Sequence, residues 1–296
     1  MRPLAQPASA LIFAPVKRQV RRGSCASILH KLKARTGLDL AFHSQTMIST
    51  PAKKPVLVIL HRLESEPGSI GQYLRANGIP LDIRRPRFGD ALPSSMDGHA
   101  GAVVFGGPMS ANDPDCYIKK EIDWIGVPLT EKKPFLGICL GAQMLAKHLG
   151  GEVREHRLGC FEAGYEPIQP REEGHALGPW PSHVYHWHRE EFTLSRDAVH
   201  LAEGEVFQNQ AFRYGPSAFG VQFHPEITLA IIHRWIVRGA ARLSQPCAQP
   251  PADHIKHHIV HGAKLRAWTF RFLERWLLGA HELEERREGE PLRCAA

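Results

Sequence analysis

From Val56 onward, short apolar runs alternate with longer polar stretches of helical length, the rhythm of a mostly parallel α/β sheet. The pattern predicts strands at Val56–Leu60, Leu81–Arg84, Ala102–Phe105 and Phe135–Ile138. Helices are expected at Ile70–Ala76, stopped by Asn77-Gly78, and at Tyr117–Ile125, before Pro128. Behind Phe135–Ile138, Ala142, Leu145, Ala146 and Leu149 fall at i, i+3, i+4 and i+7, so a helix follows, ended by Gly150-Gly151.

After Gly151 strands dominate: Glu152–Glu155, Tyr165–Ile168, Val184–Trp187, Ala211–Tyr214 and Phe219–Phe223. Thr228 is placed to cap a helix running to about Arg242, with Ile232, Trp235, Ile236 and Gly239 on one face. The division expected is a catalytic domain over 51–243, a Gln/Pro-rich linker over 244–254, a docking helix over 255–280 and a charged tail over 281–296. Leu265, Trp268, Phe272 and Trp276 give that helix its apolar stripe. No apolar run approaches the roughly 18 residues of a membrane span, so the pattern predicts a soluble chain.

Charge changes the picture only at the front. The net +7 is carried by residues 1–46, with eight Lys/Arg against Asp39, while the 29 basic and 29 acidic residues that remain cancel. A neutral body is a poor nucleic-acid surface. Residues 1–50 read as a basic, unstructured extension, with an organelle transit segment or an over-long start before Met47 as alternatives. The six cysteines form no CxxC pair, which predicts free thiols in a reducing, cytoplasmic compartment.

The candidate chemistry begins at Gly137-Ile138-Cys139-Leu140-Gly141, where a buried strand turns sharply into a helix. Glycines on both sides permit the tight turn of a nucleophile elbow, which exposes the central side chain at the sheet's carboxyl edge. A helix N-terminus favours the thiolate form of a cysteine placed there. Taken alone, Cys139 also fits an ordinary buried small hydrophobe. The second feature is Phe223-His224-Pro225-Glu226. In an extended segment i and i+2 project the same way, so Glu226 can hold the His224 ring while His224 serves the thiol.

These two motifs, Pro134–Gln143 and Gly220–Glu226, together with Phe105-Gly106-Gly107-Pro108, Val184–His188 and Asn209–Arg213 in order between and around them, resemble the class I (triad-type) glutamine amidotransferases. The chain is most similar to the stand-alone branch related to the GMP synthase amidotransferase domain, over about 55–240. The resemblance implies a flavodoxin-like α/β fold and cleavage of a γ-glutamyl amide through a Cys139 thioester, with His224 and Glu226 completing a triad. It also implies ammonia or amine as product and oxyanion donors on Gly107 and Leu140, with Gln143 beside the substrate. His186 or His188 is expected near the pocket as a substrate contact.

Glutamine or a γ-glutamyl compound is then the substrate, and a separate synthase subunit is the expected partner that consumes ammonia. Two other readings are a γ-glutamyl peptide hydrolase acting alone and a non-catalytic regulatory paralogue. There is no G-x-x-x-x-G-K-[ST] and no G-x-G-x-x-G, so no cofactor is expected. His186-x-His188 lacks a visible carboxylate partner, and His254, His257, His258 and His261 read as a solvated helix face, so no metal is expected either.

Overall fold

A computed structural model describes residues 53 to 288, with side chains through 277. The expected basic extension, and positions 289–296 of the expected tail, lie outside the described residues. The fold is α/β. Strands β1 (Val56–Ile59), β2 (Leu81–Arg84), β3 (Gly101–Val104) and β4 (Phe135–Ile138) lie parallel in the order β2-β1-β3-β4. Strand β12 (Ala218–Val221) joins β4 in parallel, and β11 (Ala211–Tyr214), β10 (Ala198–Glu203) and β7 (Gln169–Pro170) extend the sheet antiparallel. Strands β1, β3, β4 and β12 are buried at every residue, as strands covered on both faces must be.

Their side chains alternate between two cores. Leu57, Ile59, Val104 and Phe135 face α2 (Cys116–Trp124) and α4 (Leu140–His148); between these helices lies the short α3 (Gly126–Thr130), with Pro128 inside it. Val56, Val58, Val103, Leu136 and Ile138 face α1 (Gly68–Ala76), α5 (Leu229–Arg238) and α6 (Pro251–Glu288). Thr228 caps α5, its hydroxyl accepting from the Ile231 N–H at 3.3 Å. Two antiparallel ribbons flank the sheet: β5 (Val153–Glu155) with β9 (Glu190–Phe192), and β6 (Glu162–Pro167) with β8 (His183–His188).

The C-terminal helix departs from expectation. It begins at Pro251, inside the stretch expected as a linker, and runs 38 residues through Glu288, into the stretch expected as a tail. Proline suits the first helical position, and Asp253 complements the dipole there. Leu265, Trp268, Phe272 and Trp276 do dock on the sheet, each burial worth about 1.5–3 kcal/mol, and Leu273 joins them. The helical histidines are not a solvated face. His254 is fully buried and accepts from the Tyr185 hydroxyl at 2.9 Å, His258 pairs with the Tyr165 hydroxyl at 2.7 Å, and His261 stacks on His183. The tyrosines of the β6–β8 ribbon supply the partners that make a histidine stripe a packing face.

Cysteine pairing also differs. Cys160 and Cys247 form a disulfide across 87 positions, while Cys116 and Cys139 are free. Spacing along the chain could not reveal that pairing, which joins segments far apart in sequence. Among the described residues, no helix is long and apolar enough to cross a membrane.

Burial lowers the pKa values of His183, His254, His258 and His261, helped for His183 and His261 by the positive charge of Lys264. Burial also pushes His186 down to about 4. The unfolded chain binds protons at these sites near pH 6.5, where the folded chain does not, so acid favours unfolding. The melting temperature is expected to fall from pH 7 to pH 5. A His258→Gln/His261→Gln double variant should show a shallower fall; a flat wild-type profile would refute the reading.

Candidate active site

Parallel pairing places four chain segments at one edge. Ile59 lies opposite Val104, Val104 opposite Gly137, and Ile138 opposite Val221. The residues that leave those strands, His61, Gly106-Gly107, Cys139 and His224, therefore emerge side by side at the carboxyl ends, where open α/β sheets bind ligands.

Cys139 forms the turn into α4 with φ +50°, a backbone conformation that non-glycine residues adopt at a cost of about 1–3 kcal/mol and that marks functional sites. The glycines around it are sterically required. A Cβ at Gly137 would lie 2.4 Å from the Gly141 carbonyl oxygen, and one at Gly141 would lie 2.1 Å from that of Val104. The strand and helix touch only because both positions lack side chains.

His224 and Glu226 meet as the i, i+2 spacing predicts. Nδ1 of His224 donates to Glu226 Oε1 at 2.8 Å, and both side chains are buried. The His-Pro-Glu segment is pinned: the Pro225 carbonyl accepts from the hydroxyls of Ser69 and Thr269, and the Glu226 carbonyl accepts from the Ser69 N–H. Trp235 packs edge-on against the His224 ring at 4.7 Å between centroids. The far nitrogen, Nε2, is buried and holds no fixed hydrogen bond. Burial alone would lower the pKa of this ring, but the Glu226 charge and Cys139 outweigh it and raise it to about 10. A Cβ on Gly106 would lie 2.8 Å from His224 Cε1 and 3.3 Å from Cys139 Cβ, so both side chains close on one bare stretch of backbone.

A cavity of about 220 Å³ opens over these groups, at the small end for ligand pockets. Gly107, Cys139, Gln143, His188, Glu190, His224, Glu226 and Trp235 are in its wall, with Arg62, Glu64, Glu66, Arg234 and Arg238 at the mouth. The mouth charges are interlinked: Arg62 pairs with Glu64 at 2.8 Å, and Arg238 and Arg234 pair with Glu64 and Glu66. Leu140 follows Cys139 at the first position of α4, where the N–H has no partner within the helix. Gln143 lines the wall, yet its amide donates inward to the Glu190 carbonyl and to Gln222 Oε1, each at 3.2 Å.

His186 does not line the cavity; His188 and Glu190 do. The two β8 histidines converge with Glu162, whose Oε2 lies 3.1 Å from His186 Nδ1 and 2.9 Å from His188 Nε2, so the carboxylate unseen in the sequence is supplied by β6. Among the described residues this trio alone has the ligand types and spacing for a cation. Its atoms are already spent on one another, on Gln210, and, through His188 Nδ1, on the Glu190 carbonyl. It is a hydrogen-bonded cluster that reaches the cavity through His188. Glu190 itself escaped the sequence reading; its carboxylate accepts from Ser110 at 2.7 Å, and burial raises its pKa.

Comparison with known proteins accords with this geometry. The family model "Glutamine amidotransferase class-I" matches residues 65–237. YfeJ of Salmonella typhimurium, a glutamine amidotransferase-like protein, is 30% identical over 72% of this chain and 90% of its own. One of the subunits of the glutamine-hydrolysing GMP synthase of Methanococcoides burtonii is 33% identical over 43% of this chain, which spans 64% of that protein's length. The crystal structure of a glutamine amidotransferase from Methylobacillus flagellatus superposes with a TM-score of 0.72 at 29% identity, covering 77% of this chain and 95% of the other. With more than half of its length matched by the family model and the fold shared, the chain belongs to the class-I glutamine amidotransferase family.

Proposed function

We propose that the chain hydrolyses a γ-glutamyl amide, with Cys139 as nucleophile, His224 as acid and base, and Glu226 as the group that orients His224. The reading rests above all on the buried Cys139–His224–Glu226 constellation at the floor of the cavity. The Cys139 sulfur attacks the amide carbon and forms the C–S bond. The tetrahedral intermediate then expels the amide nitrogen, which takes its proton from His224 and leaves as ammonia or an amine. Water, losing a proton to the now neutral His224, next attacks the thioester; the C–S bond breaks and the γ-carboxylate and thiol are restored.

The oxyanion formed at each attack needs preorganised N–H donors. Leu140 N–H and Gly107 N–H sit on the two segments flanking Cys139 and are the donors in this reading. The mixed charges of Arg62, Glu64, Glu66, Arg234 and Arg238 suit the α-amino and α-carboxylate groups of a glutamyl unit entering amide-first. The product ammonia passes to a separate acceptor enzyme, in keeping with the Methanococcoides relative being one part of a multi-chain synthase. Purified protein is expected to release ammonia from glutamine, or amine from γ-glutamyl peptides, in a coupled assay run over both substrate sets. Absence of turnover on both, with and without ammonia-accepting extracts, would overturn the reading in favour of a non-catalytic paralogue.

A further inference from the structure

His61 and Glu121 lie outside every motif above, yet they are almost completely buried beside the candidate oxyanion loop. His61 is the second residue past β1, and Glu121 projects inward from α2. His61 Nε2 lies 2.8 Å from Glu121 Oε2, and Nδ1 lies 3.2 Å from the carbonyl oxygen of Gly106. A backbone carbonyl can only accept, so Nδ1 carries the hydrogen and donates to it. The Nε2···Oε2 contact anchors the far side of the ring, and the carboxylate thus fixes the ring's orientation toward the Gly106 carbonyl.

The consequence follows from peptide planarity. The described residues contain no cis peptide, so the Gly106 C=O and the Gly107 N–H, which share one planar unit, point in opposite directions. Holding the carbonyl toward His61 turns the Gly107 N–H away from His61. That N–H makes no hydrogen bond with any described residue, and Gly107 lines the cavity. The loop is also boxed in on both sides: a Cβ on Gly107 would lie 3.0 Å from both His61 Cβ and Leu140 Cδ2, while one on Gly106 would meet His224. Two successive glycines could rotate this peptide at little steric cost. A device that holds it in one orientation is therefore useful.

We infer that the His61–Glu121 pair is a positioning clamp, which fixes the Gly106–Gly107 peptide with its N–H presented to the oxyanion, an inference that rests on the hydrolase reading above. His61 touches neither substrate nor sulfur; it acts through the peptide. The hydrogen bond to the carbonyl also polarises the peptide unit and strengthens its N–H as a donor.

His61→Leu removes the donor, and His61→Asn keeps an amide N–H near the place of Nδ1. The Leu variant is expected to lower kcat about 10²–10³-fold, as loss of one oxyanion donor does, with KM changed less than about threefold. The Asn variant should recover at least about tenfold of that loss. Alkylation of Cys139 by iodoacetamide, a displacement at a saturated carbon that builds no oxyanion, should proceed at the wild-type rate in both. A crystal structure of His61→Leu should show the peptide turned, with the Gly106 carbonyl facing the cavity.

A Leu variant with wild-type kcat, or with an unturned peptide, would overturn the clamp while leaving the hydrolase reading intact. A parallel loss of alkylation rate would assign His61 to general support of the fold and equally overturn it. Wild-type protein without amide hydrolysis would defeat the hydrolase reading instead, and the orientation of the peptide in the Leu variant would still decide the clamp.

Discussion

Cys139→Ala is expected to abolish amide hydrolysis, lowering turnover by at least about 10⁴-fold, because triad enzymes that lose their nucleophile retain only the catalysis of binding and of the oxyanion site. The melting temperature should fall by only a few degrees, since alanine keeps the Cβ and the loss is confined to the sulfur's interaction with His224, whose bond to Glu226 remains. Cys139→Gly provides a sharper contrast. At φ +50° the native residue stores backbone strain, which glycine relieves at the cost of about 0.5–1 kcal/mol of unfolded-state entropy. The glycine variant should therefore be inactive yet at least as stable as the alanine variant. Ammonia-release kinetics and thermal melts of both variants check the pair of claims. Appreciable turnover by the alanine variant would remove Cys139 as nucleophile, and a glycine variant several degrees less stable than it would show that the turn is unstrained.

Much of the path to these variants was legible in the chain itself. Strands β1, β3, β4 and β12 are covered on both faces, so each is written as an unbroken apolar run, and such runs are found without knowing their neighbours. The elbow glycines and the i, i+2 relation of His224 to Glu226 are local as well, and the structure places these groups where local geometry says. Strand β10, by contrast, is half-covered and carries His200 and Glu203, and β9 opens with two glutamates; neither has an apolar signature strong enough to read. The histidines of α6 looked solvated because their partners, the Tyr165 and Tyr185 hydroxyls, lie about 70–90 positions away. Glu162, Glu121 and Cys247 were missed for the same reason: each gains its meaning from a partner on a distant segment. Local pattern reports what a residue can do, whereas contact across the sheet decides what it does.

Glu226→Gln separates the charge of the triad from its geometry. Glutamine can still accept from His224 Nδ1 at the position of Oε1, so the ring keeps its orientation, but the negative charge is gone. Turnover is expected to fall about 10²–10⁴-fold, as when an orienting carboxylate is neutralised in other triads. The pH dependence should change with it. Burial pushes the His224 pKa down and the Glu226 charge is the largest influence opposing it, so neutralising that charge lets the ring lose its proton at lower pH than the native value of about 10. The alkaline limb of kcat/KM and of Cys139 alkylation should consequently move toward acid in the variant.

Stability carries the same sign. A histidine whose folded pKa lies above its unfolded value of 6.5 stabilises the fold fully below pH 6.5, and that contribution is lost as pH rises through about 10. The stability gap between wild type and Glu226→Gln should therefore be widest near pH 6 and close between pH 7 and 10. Melts across that range, set beside alkylation rates, give two independent measurements of one ionisation. A gap that widens with pH, or an alkaline limb that does not move, would show that His224 does not take its charge from Glu226, and the acid and base role would have to pass to another group.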